Sequence, residues 1–357
     1  MHFPFCESKC NYCDFYSARF PAEKQQAYIA ALCNQISDYG ARLSLSADTL
    51  YLGGGTPTVL QAEALVQTIK TAKQQFGPFA EITVEANPAD RLGDTFLSLR
   101  QAGVNRLSLG VQSADLTELQ RLGRRHTPEQ VVRCVADSRA AGIQNLSLDL
   151  MLGIPGQTAE SLQHTLDFCL ALAPEHISAY MLKIEEGTPF GRICPPGLPS
   201  EDETAALYLQ MCDTLRTAGY LHYEISNFCK PGFESRHNLK YWTLSPYLGI
   251  GPGAHSFIDG KRFYFPRSLD SFLSNPCSIP DGDGGDENEY VMLRLRLAEG
   301  LNYKEYQRLY QKDFAALHEK QIAQLQQNGL VHPSTERLAL TEKGFLLSNS
   351  IILQLLD

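Results

Sequence analysis

The stretch Asn145-Leu146-Ser147-Leu148-Asp149-Leu150-Met151 is a short apolar run with a carboxylate near its end. It leads into Gly153-Ile154-Pro155-Gly156-Gln157-Thr158, and an amphipathic segment, Ala159–Leu172, follows. A run this apolar marks a strand buried on both faces, and such strands belong to parallel sheets whose crossovers are helices. The same unit recurs on both sides. Upstream, a stub at Met1–Pro4 precedes Glu23–Leu43, Thr49–Gly53 precedes Gln61–Phe76, Glu81–Ala86 precedes Thr95–Ala102, and Arg106–Val111 precedes Pro128–Ala141. Downstream, His176–Leu182 precedes Glu201–Ala218. Gly77, Gly103 and Gly142 stand just past three of the helical segments, where a left-handed residue stops a helix. The alternation predicts an α/β fold with a parallel sheet, barrel-like or doubly wound. In both, function sits at the C-terminal ends of the strands.

Those ends are rich in polar groups. They carry Cys6, Cys10 and Cys13; then Gly53-Gly54-Gly55-Thr56-Pro57; then Glu85-Ala86-Asn87-Pro88; then Gln112-Ser113; then Asp149. Polar groups gathered at one rim are what a barrel active site requires.

The 357 residues suit one large domain with a smaller appendage. At 43% apolar and 20% charged residues, the composition is that of a folded soluble protein and excludes disordered and fibrous classes. Forty acidic against 31 basic residues, net −9, argue against a broad nucleic-acid surface. No apolar run reaches the ~18 residues of a membrane span. The opening Met-His-Phe-Pro-Phe-Cys lacks the basic and apolar regions of a signal peptide, so the reducing cytoplasm is expected.

The texture changes near residue 219. Residues 1–218 are expected to form the barrel, 219–283 a connecting segment and 284–357 a C-terminal domain. Tyr220–Phe257 is aromatic and Gly-rich, without βα rhythm. Asp281–Glu287 reads as a polar hinge; as a calcium loop it fails, with Asp286 at the sixth position and Met292 at the twelfth. Beyond it, Asn288–Leu297, Tyr303–Phe314 and Ala315–Gln327 are expected to be helical, Gly329–Leu340 a small hairpin and Thr341–Leu356 a last helix. This is a winged-helix-like α+β pattern. Its eight basic and ten acidic residues lack a basic footprint, so a nucleic-acid-binding role ranks last.

Three of the ten cysteines crowd into Cys6-x3-Cys10-x2-Cys13. The other seven read as buried small hydrophobes. Three thiolates can hold three corners of a four-iron cluster and leave the fourth iron for an outside ligand. Thiolates suit zinc as well, and His2 offers a fourth ligand for a Cys3His site. The x3/x2 spacing does not match the paired CxxC knuckles of common zinc sites, and a Cys10-x-x-Cys13 redox pair leaves Cys6 without a purpose. The cluster is the favoured reading.

With the aromatic Phe15 after Cys13 and with Gly53–Pro57, this motif resembles the radical S-adenosylmethionine family. The resemblance implies a partial (βα)6 TIM-like barrel and a [4Fe–4S] cluster on Cys6, Cys10 and Cys13. It also implies S-adenosylmethionine chelating the open iron. Gly54, Gly55 and Thr56 then approach the amino-acid moiety, and Glu85 resembles the acceptor for the ribose hydroxyls. Gln112, Arg124 and Asp149 fall where the closest relatives place further cofactor contacts, and Arg124 offers a planar fork to the cofactor carboxylate.

The likeness extends nearly end to end with the family that contains oxygen-independent coproporphyrinogen III oxidase and related heme chaperones. Gly110-Val-Gln-Ser113, Asp149–Thr158, Tyr223-Glu-Ile-Ser-Asn-Phe228 and Tyr247–Ser256 carry it. The oxidase branch has a fourth cysteine where this chain has Phe15, and a long segment ahead of the cluster. Relatives also have a Tyr two residues before the His of this opening and more of a first strand. His237-Asn238-Leu239-Lys240-Tyr241-Trp242 matches the HNxxYW motif of the chaperone branch. The resemblance thus implies heme bound in segment 219–283. Neutral imidazole is a good axial iron ligand and aromatics cover a macrocycle, so His237 is the candidate ligand. Tyr241 and Trp242 are the candidate packing groups, and Asn238 is expected to orient the imidazole or to satisfy backbone groups. His255 is read as structural, and Gly249, Gly251 and Gly253 do not make a phosphate fingerprint. The expected function is a heme chaperone that hands heme to acceptors such as respiratory cytochromes and takes electrons from a donor. The alternative is oxidative decarboxylation of coproporphyrinogen III.

Overall fold

The computed structural model describes residues 1–43, 45–89 and 92–356. Six parallel strands lie side by side in chain order: β1 (His2–Phe3), β2 (Thr49–Gly54), β3 (Glu81–Ala86), β4 (Arg106–Gln112), β5 (Asn145–Leu152) and β6 (His176–Met181). The helices between and after them are α1 (Ala22–Leu43), α2 (Ala62–Phe76), α3 (Gly93–Ala102), α4 (Leu116–Leu122), α5 (Pro128–Ala140), α6 (Ala159–Ala171), α7 (Pro189–Arg192) and α8 (Glu201–Thr217). The result is the partial (βα)6 barrel of the sequence reading. The expected helices of the barrel begin and end within two residues of the observed ones, whereas in the extension the expected Asn288–Leu297 and Tyr303–Phe314 stop earlier, at Arg294 and Tyr310. Local chemistry explains the agreement at α8, where Ser200 Oγ accepts from Glu203 N at 3.2 Å and Glu203 Oε2 accepts from Ser200 N at 2.7 Å.

The strands are buried on both faces, but the faces differ. Along β4, Leu107, Leu109 and Val111 are fully buried in the hydrophobic core, while Arg106, Ser108, Gly110 and Gln112 line a cavity. A period of two is thus hidden in an apolar-looking run. The barrel interior is a polar vessel, and the core lies between the sheet and its helices.

The connecting segment departs from the expectation of irregular structure. β7 (Leu221–Glu224) and β8 (Asn227–Cys229) join the sheet antiparallel, giving eight strands in the order β1-β2-β3-β4-β5-β6-β8-β7. The barrel sheet therefore continues past residue 218 to Cys229. α9 (Arg236–Trp242) then crosses the N-terminal ends of β2 and β3. There Glu81 Oε2 and Oε1 accept from Arg236 N at 3.1 Å and His237 N at 3.0 Å.

β9 (His255–Ile258), β10 (Lys261–Tyr264) and, after α10 (Leu269–Ser274), β11 (Ile279–Asp283) form a separate antiparallel sheet. The expected hinge at Asp281–Glu287 is thus corrected. Its first residues pair with β10, and Asp286 caps α11 (Glu287–Arg294), accepting from Glu289 N at 2.7 Å.

The C-terminal extension continues with β12 (Leu301–Asn302), α12 (Tyr303–Tyr310), α13 (Phe314–Leu317), α14 (Glu319–Gln327), β13 (Arg337–Leu338), α15 (Glu342–Leu346) and α16 (Ser348–Leu355). Within the expected hairpin, Val331 bridges Leu340, but β13 takes β12 as its partner. The expected last helix is two helices, broken at Leu347. The extension is joined to the barrel by backbone bonds, Ile225 N to Arg296 O at 2.9 Å and Ala298 N to Tyr223 O at 3.0 Å. Of the seven scattered cysteines, Cys194 and Cys277 are exposed, which corrects the expectation that all seven are buried. No helix among the described residues is long and apolar enough to cross a membrane.

Candidate functional site

A cavity of about 630 Å³ opens at the C-terminal ends of the strands. Its lining includes Cys6, Cys10, Cys13, Gly54, Gly55, Thr56, Glu85, Gln112, Arg124, Asp149 and Asn238. Eleven of the fourteen residues singled out in the sequence therefore meet at one cavity; His237, Tyr241 and Trp242 do not line it.

The cysteine loop leaves β1 and is closed by its own backbone. Cys6 N donates to Ala18 O at 3.0 Å, and Ala18 N to Pro4 O at 3.1 Å. Asn11 ties the loop to α4 through Asn11 N to Leu122 O at 3.0 Å and Asn11 Nδ2 to Arg121 O at 2.8 Å. The three thiols are half-buried. Burial raises the Cys13 thiol, and the neighbouring Cys10 and Cys6 raise it further. Three half-buried sulfurs crowded at a cavity mouth are a donor set that a cationic cluster would engage. The residues therefore fit the cluster. His2 turns away, its Nε2 meeting Tyr16 O at 2.8 Å, so the Cys3His zinc alternative lacks its fourth ligand.

The Gly-rich end of β2 packs directly on the cysteine strand. A Cβ at Gly55 would lie 2.5 Å from Phe5 O and 2.8 Å from Phe3 O. Gly54, at φ +113, donates its amide to Glu85 Oε2 at 3.0 Å. Tyr51 Oη donates to Glu85 Oε1 at 2.7 Å. Burial nevertheless pushes the Glu85 carboxyl up to about 7.

Arg124 is part of the site rather than a solvated face. Its Nη2 donates to Asn87 Oδ1 at 2.7 Å and to Gly110 O, and its Nη1 lies 3.6 Å from Cys10 Sγ. Asn87 in turn donates to Thr56 Oγ1 at 2.8 Å, and Thr56 Oγ1 lies 3.7 Å from Cys6 Sγ. Asp149 accepts from Ser108 Oγ at 2.9 Å and Ser147 Oγ at 3.3 Å, while burial raises it. Gln112 sits at a bulge against β5 with φ +66, and its Oε1 is buried without a partner. Such an orphan acceptor on a cavity wall is poised for a ligand donor.

Sequence reasoning named Asn87 only as part of a strand end, and it missed Tyr51 and the buried Arg106, whose Nε has no partner. The available signal was the alternation of polar residues inside β2 to β4.

α9 lies at the opposite end of the barrel. His237 Nδ1 is 2.9 Å from Thr49 Oγ1, and Nε2 is 3.0 Å from Tyr241 Oη. Its ring stacks on Tyr51 at 5.1 Å, and burial drives its pKa down to about 3. Tyr241 is 39% exposed, so one edge of this cluster reaches solvent. Trp242 is half-buried, and Asn238 alone of the four reaches the cavity. His255 is exposed and stacks on Tyr264 at 5.2 Å.

Comparison with known proteins places these features in a family. The model of the radical SAM superfamily matches residues 1–169, and that of the HemN C-terminal domain matches residues 288–347. The heme chaperone HemW of Lactococcus lactis is 34% identical over 98% of this chain and 95% of its own. That of Escherichia coli is 35% identical over 99% and 96%. The solved structure of coproporphyrinogen III oxidase (HemN) from Escherichia coli shares the fold, with a TM-score of 0.84 at 23% identity over 99% of this chain and 88% of that one. A barrel with three cysteines at its mouth, an extension bonded to its last strand and full-length likeness to these relatives lead to one conclusion: the chain belongs to the HemW family of radical SAM proteins.

Proposed function

We propose that this protein is a cytoplasmic heme chaperone. It holds a [4Fe–4S] cluster on Cys6, Cys10 and Cys13, binds S-adenosylmethionine beside it, and passes heme to acceptor proteins such as respiratory cytochromes. The observation that carries this reading is the convergence of three thiols with Glu85, Gln112, Arg124 and Asp149 on one cavity. When bound, the cluster supplies one-electron chemistry and an open iron position. The chain's own groups do the rest. The glycines at 54 and 55 let a ligand approach the backbone closely, and Thr56 presents its hydroxyl beside them. Glu85 accepts ribose hydroxyls, Gln112 offers its free carbonyl oxygen, Asp149 sets the polarity of the wall and Arg124 faces the cofactor carboxylate.

Heme coordination is assigned to α9. His237 is neutral at every physiological pH, and its Nε2 becomes available when the Tyr241 hydroxyl swings away. Tyr241 and Trp242 then cover the macrocycle, and Thr49, rather than the expected Asn238, orients the imidazole through Nδ1 at 2.9 Å. Phe15, in the place of a fourth cysteine, favours the chaperone over the oxidase. In this division of labour residues 1–218 carry the cluster chemistry, 219–283 the heme, and 284–357 the winged-helix-like extension. An external electron donor completes the system.

The test is anaerobic reconstitution, iron and sulfide counting, then heme titration read by absorption. About four irons and four sulfides per chain are expected. His237→Ala should weaken heme binding at least tenfold. Zinc alone at the three cysteines would sink the cluster assignment, and full heme affinity in His237→Ala would sink the ligand. Steady conversion of coproporphyrinogen III to protoporphyrinogen would replace the chaperone reading with the oxidase.

A further inference from the structure

Away from the cavity, three side chains of metal-binding type meet where the barrel joins its extension. Cys212 lies on α8, His222 on β7 and Glu342 in the first turn of α15, and their ligand atoms all fall within 4.8 Å of one another. We propose that Cys212, His222 and Glu342 form a divalent-cation site, for which zinc is the favoured ion.

The imidazole is prepared for this role. Phe228 stacks on it at 4.1 Å and Phe345 packs at 5.1 Å, which fixes the ring plane. Its other bonds run to the carbonyls of Ile225 and Glu224, while Nε2 is buried without a partner. A buried ring nitrogen without a partner is costly unless something occupies it. Burial also holds the ring neutral, with its pKa near 4, so the lone pair is free at neutral pH.

Cys212 and Glu342 face one another as two acidic ligands, and the nearby Arg216 offsets their repulsion only in part. Burial pushes the Cys212 thiol up to about 12, and the Glu342 charge raises it further. An ion between sulfur and carboxylate would replace this mutual penalty with attraction, and the thiol proton would leave to solvent as the metal–sulfur bond forms. Arg216 Nη1 holds Glu342 Oε1 at 2.7 Å and Arg216 Nη2 holds Asp213 at 2.6 Å, so the second Glu342 oxygen remains for the metal. Sulfur, imidazole and carboxylate together suit zinc; a sulfur ligand disfavours magnesium and calcium. Three protein ligands leave the fourth tetrahedral position for water on the half-exposed side of Glu342. The ion would then lock α8 and β7 to α15.

The experiment uses the cluster-loaded full chain, so that Cys6, Cys10 and Cys13 are already engaged. It is equilibrated with zinc chloride, dialysed, and titrated against a chromophoric chelator; zinc-edge absorption then reads the donor atoms. One zinc per chain is expected, with a single sulfur at ~2.3 Å. Cys212→Ser and His222→Gln should each weaken zinc about 100-fold or more, and Glu342→Gln about tenfold, while iron and sulfide counts stay at the wild-type level and report intact folding. No zinc beyond the level retained by Cys212→Ser, or a spectrum with several sulfurs, would overturn the proposal.

Discussion

Tyr51 and His237 stack with ring centroids 5.1 Å apart and 26° between their planes, while the Tyr51 hydroxyl donates to Glu85 at 2.7 Å. One side chain therefore spans the two ends of the barrel. The proposed heme ligand rests on its face, and the proposed ribose acceptor is held by its tip. Tyr51→Phe keeps the face and removes the tip. It should weaken S-adenosylmethionine binding to the cluster-loaded protein about tenfold, by calorimetry, and leave the heme titration unchanged. Tyr51→Ala should lower both.

Gly55 has no room for a methyl group. The nearest atoms to an added Cβ are backbone oxygens of Phe5 and Phe3, which cannot rotate away. Gly55→Ala must push β1 and the cysteine loop off the end of β2. The expected result is loss of most bound iron after reconstitution and a fall in stability of about 2 kcal/mol, read by denaturant unfolding.

If His237 is the heme ligand as proposed, Tyr241 competes with iron for its Nε2. Tyr241→Phe removes the hydroxyl 3.0 Å from that nitrogen but keeps the ring. A hydrogen bond of about 1 kcal/mol no longer has to break, so heme should bind roughly fivefold more tightly. Absorption titration of wild type and variant side by side measures this, and a weaker variant would place the iron elsewhere.

Glu224 gives the pH dependence of folding a defined component. The residue is fully buried, its Oε1 has no partner, and burial raises its carboxyl from 4.5 to about 7. Below pH 4.5 the group is protonated in the folded and unfolded chains alike. Between 4.5 and 7 the unfolded chain ionises first, so stability falls as pH rises; above 7 the loss is complete. Glu224→Gln should therefore gain on wild type as pH rises, by on the order of 3 kcal/mol between pH 4.5 and 8. His2, His126, His176, His222 and His237, whose pKa values burial lowers, act oppositely, losing stability as pH falls below 6.5, but they are common to both proteins and cancel in the difference. Guanidinium unfolding at pH 5 and pH 8 supplies the comparison.

Much of the barrel was legible because its signals are local. A helix stop such as Gly103, at φ +102, or a cap such as Ser200 acts within one turn of chain. The cysteines, Gly54 to Thr56, and Glu85 were legible because each lies at a strand end. What stayed hidden depends on distant partners. Leu221–Glu224 and Asn227–Cys229 are too short to show a period; β8 takes its direction from β6 beside it, and β7 from β8. The seven residues of α9 are a helix because Ser235 and the remote Glu81 occupy its first amides. The acidic run after Pro280 looked like a hinge because the Lys261–Asp283 pair that supports it as a strand lies across the sheet.

Gln112 stands on the cavity wall with a left-handed backbone and an idle carbonyl oxygen, two features that a chain selected only for endurance would shed. Together they cost about 2 kcal/mol or more. A screen that rewards melting temperature alone would accept Gln112→Gly and, in hardening the molecule, blunt it. The least comfortable residue in the barrel marks where robustness and work pull apart.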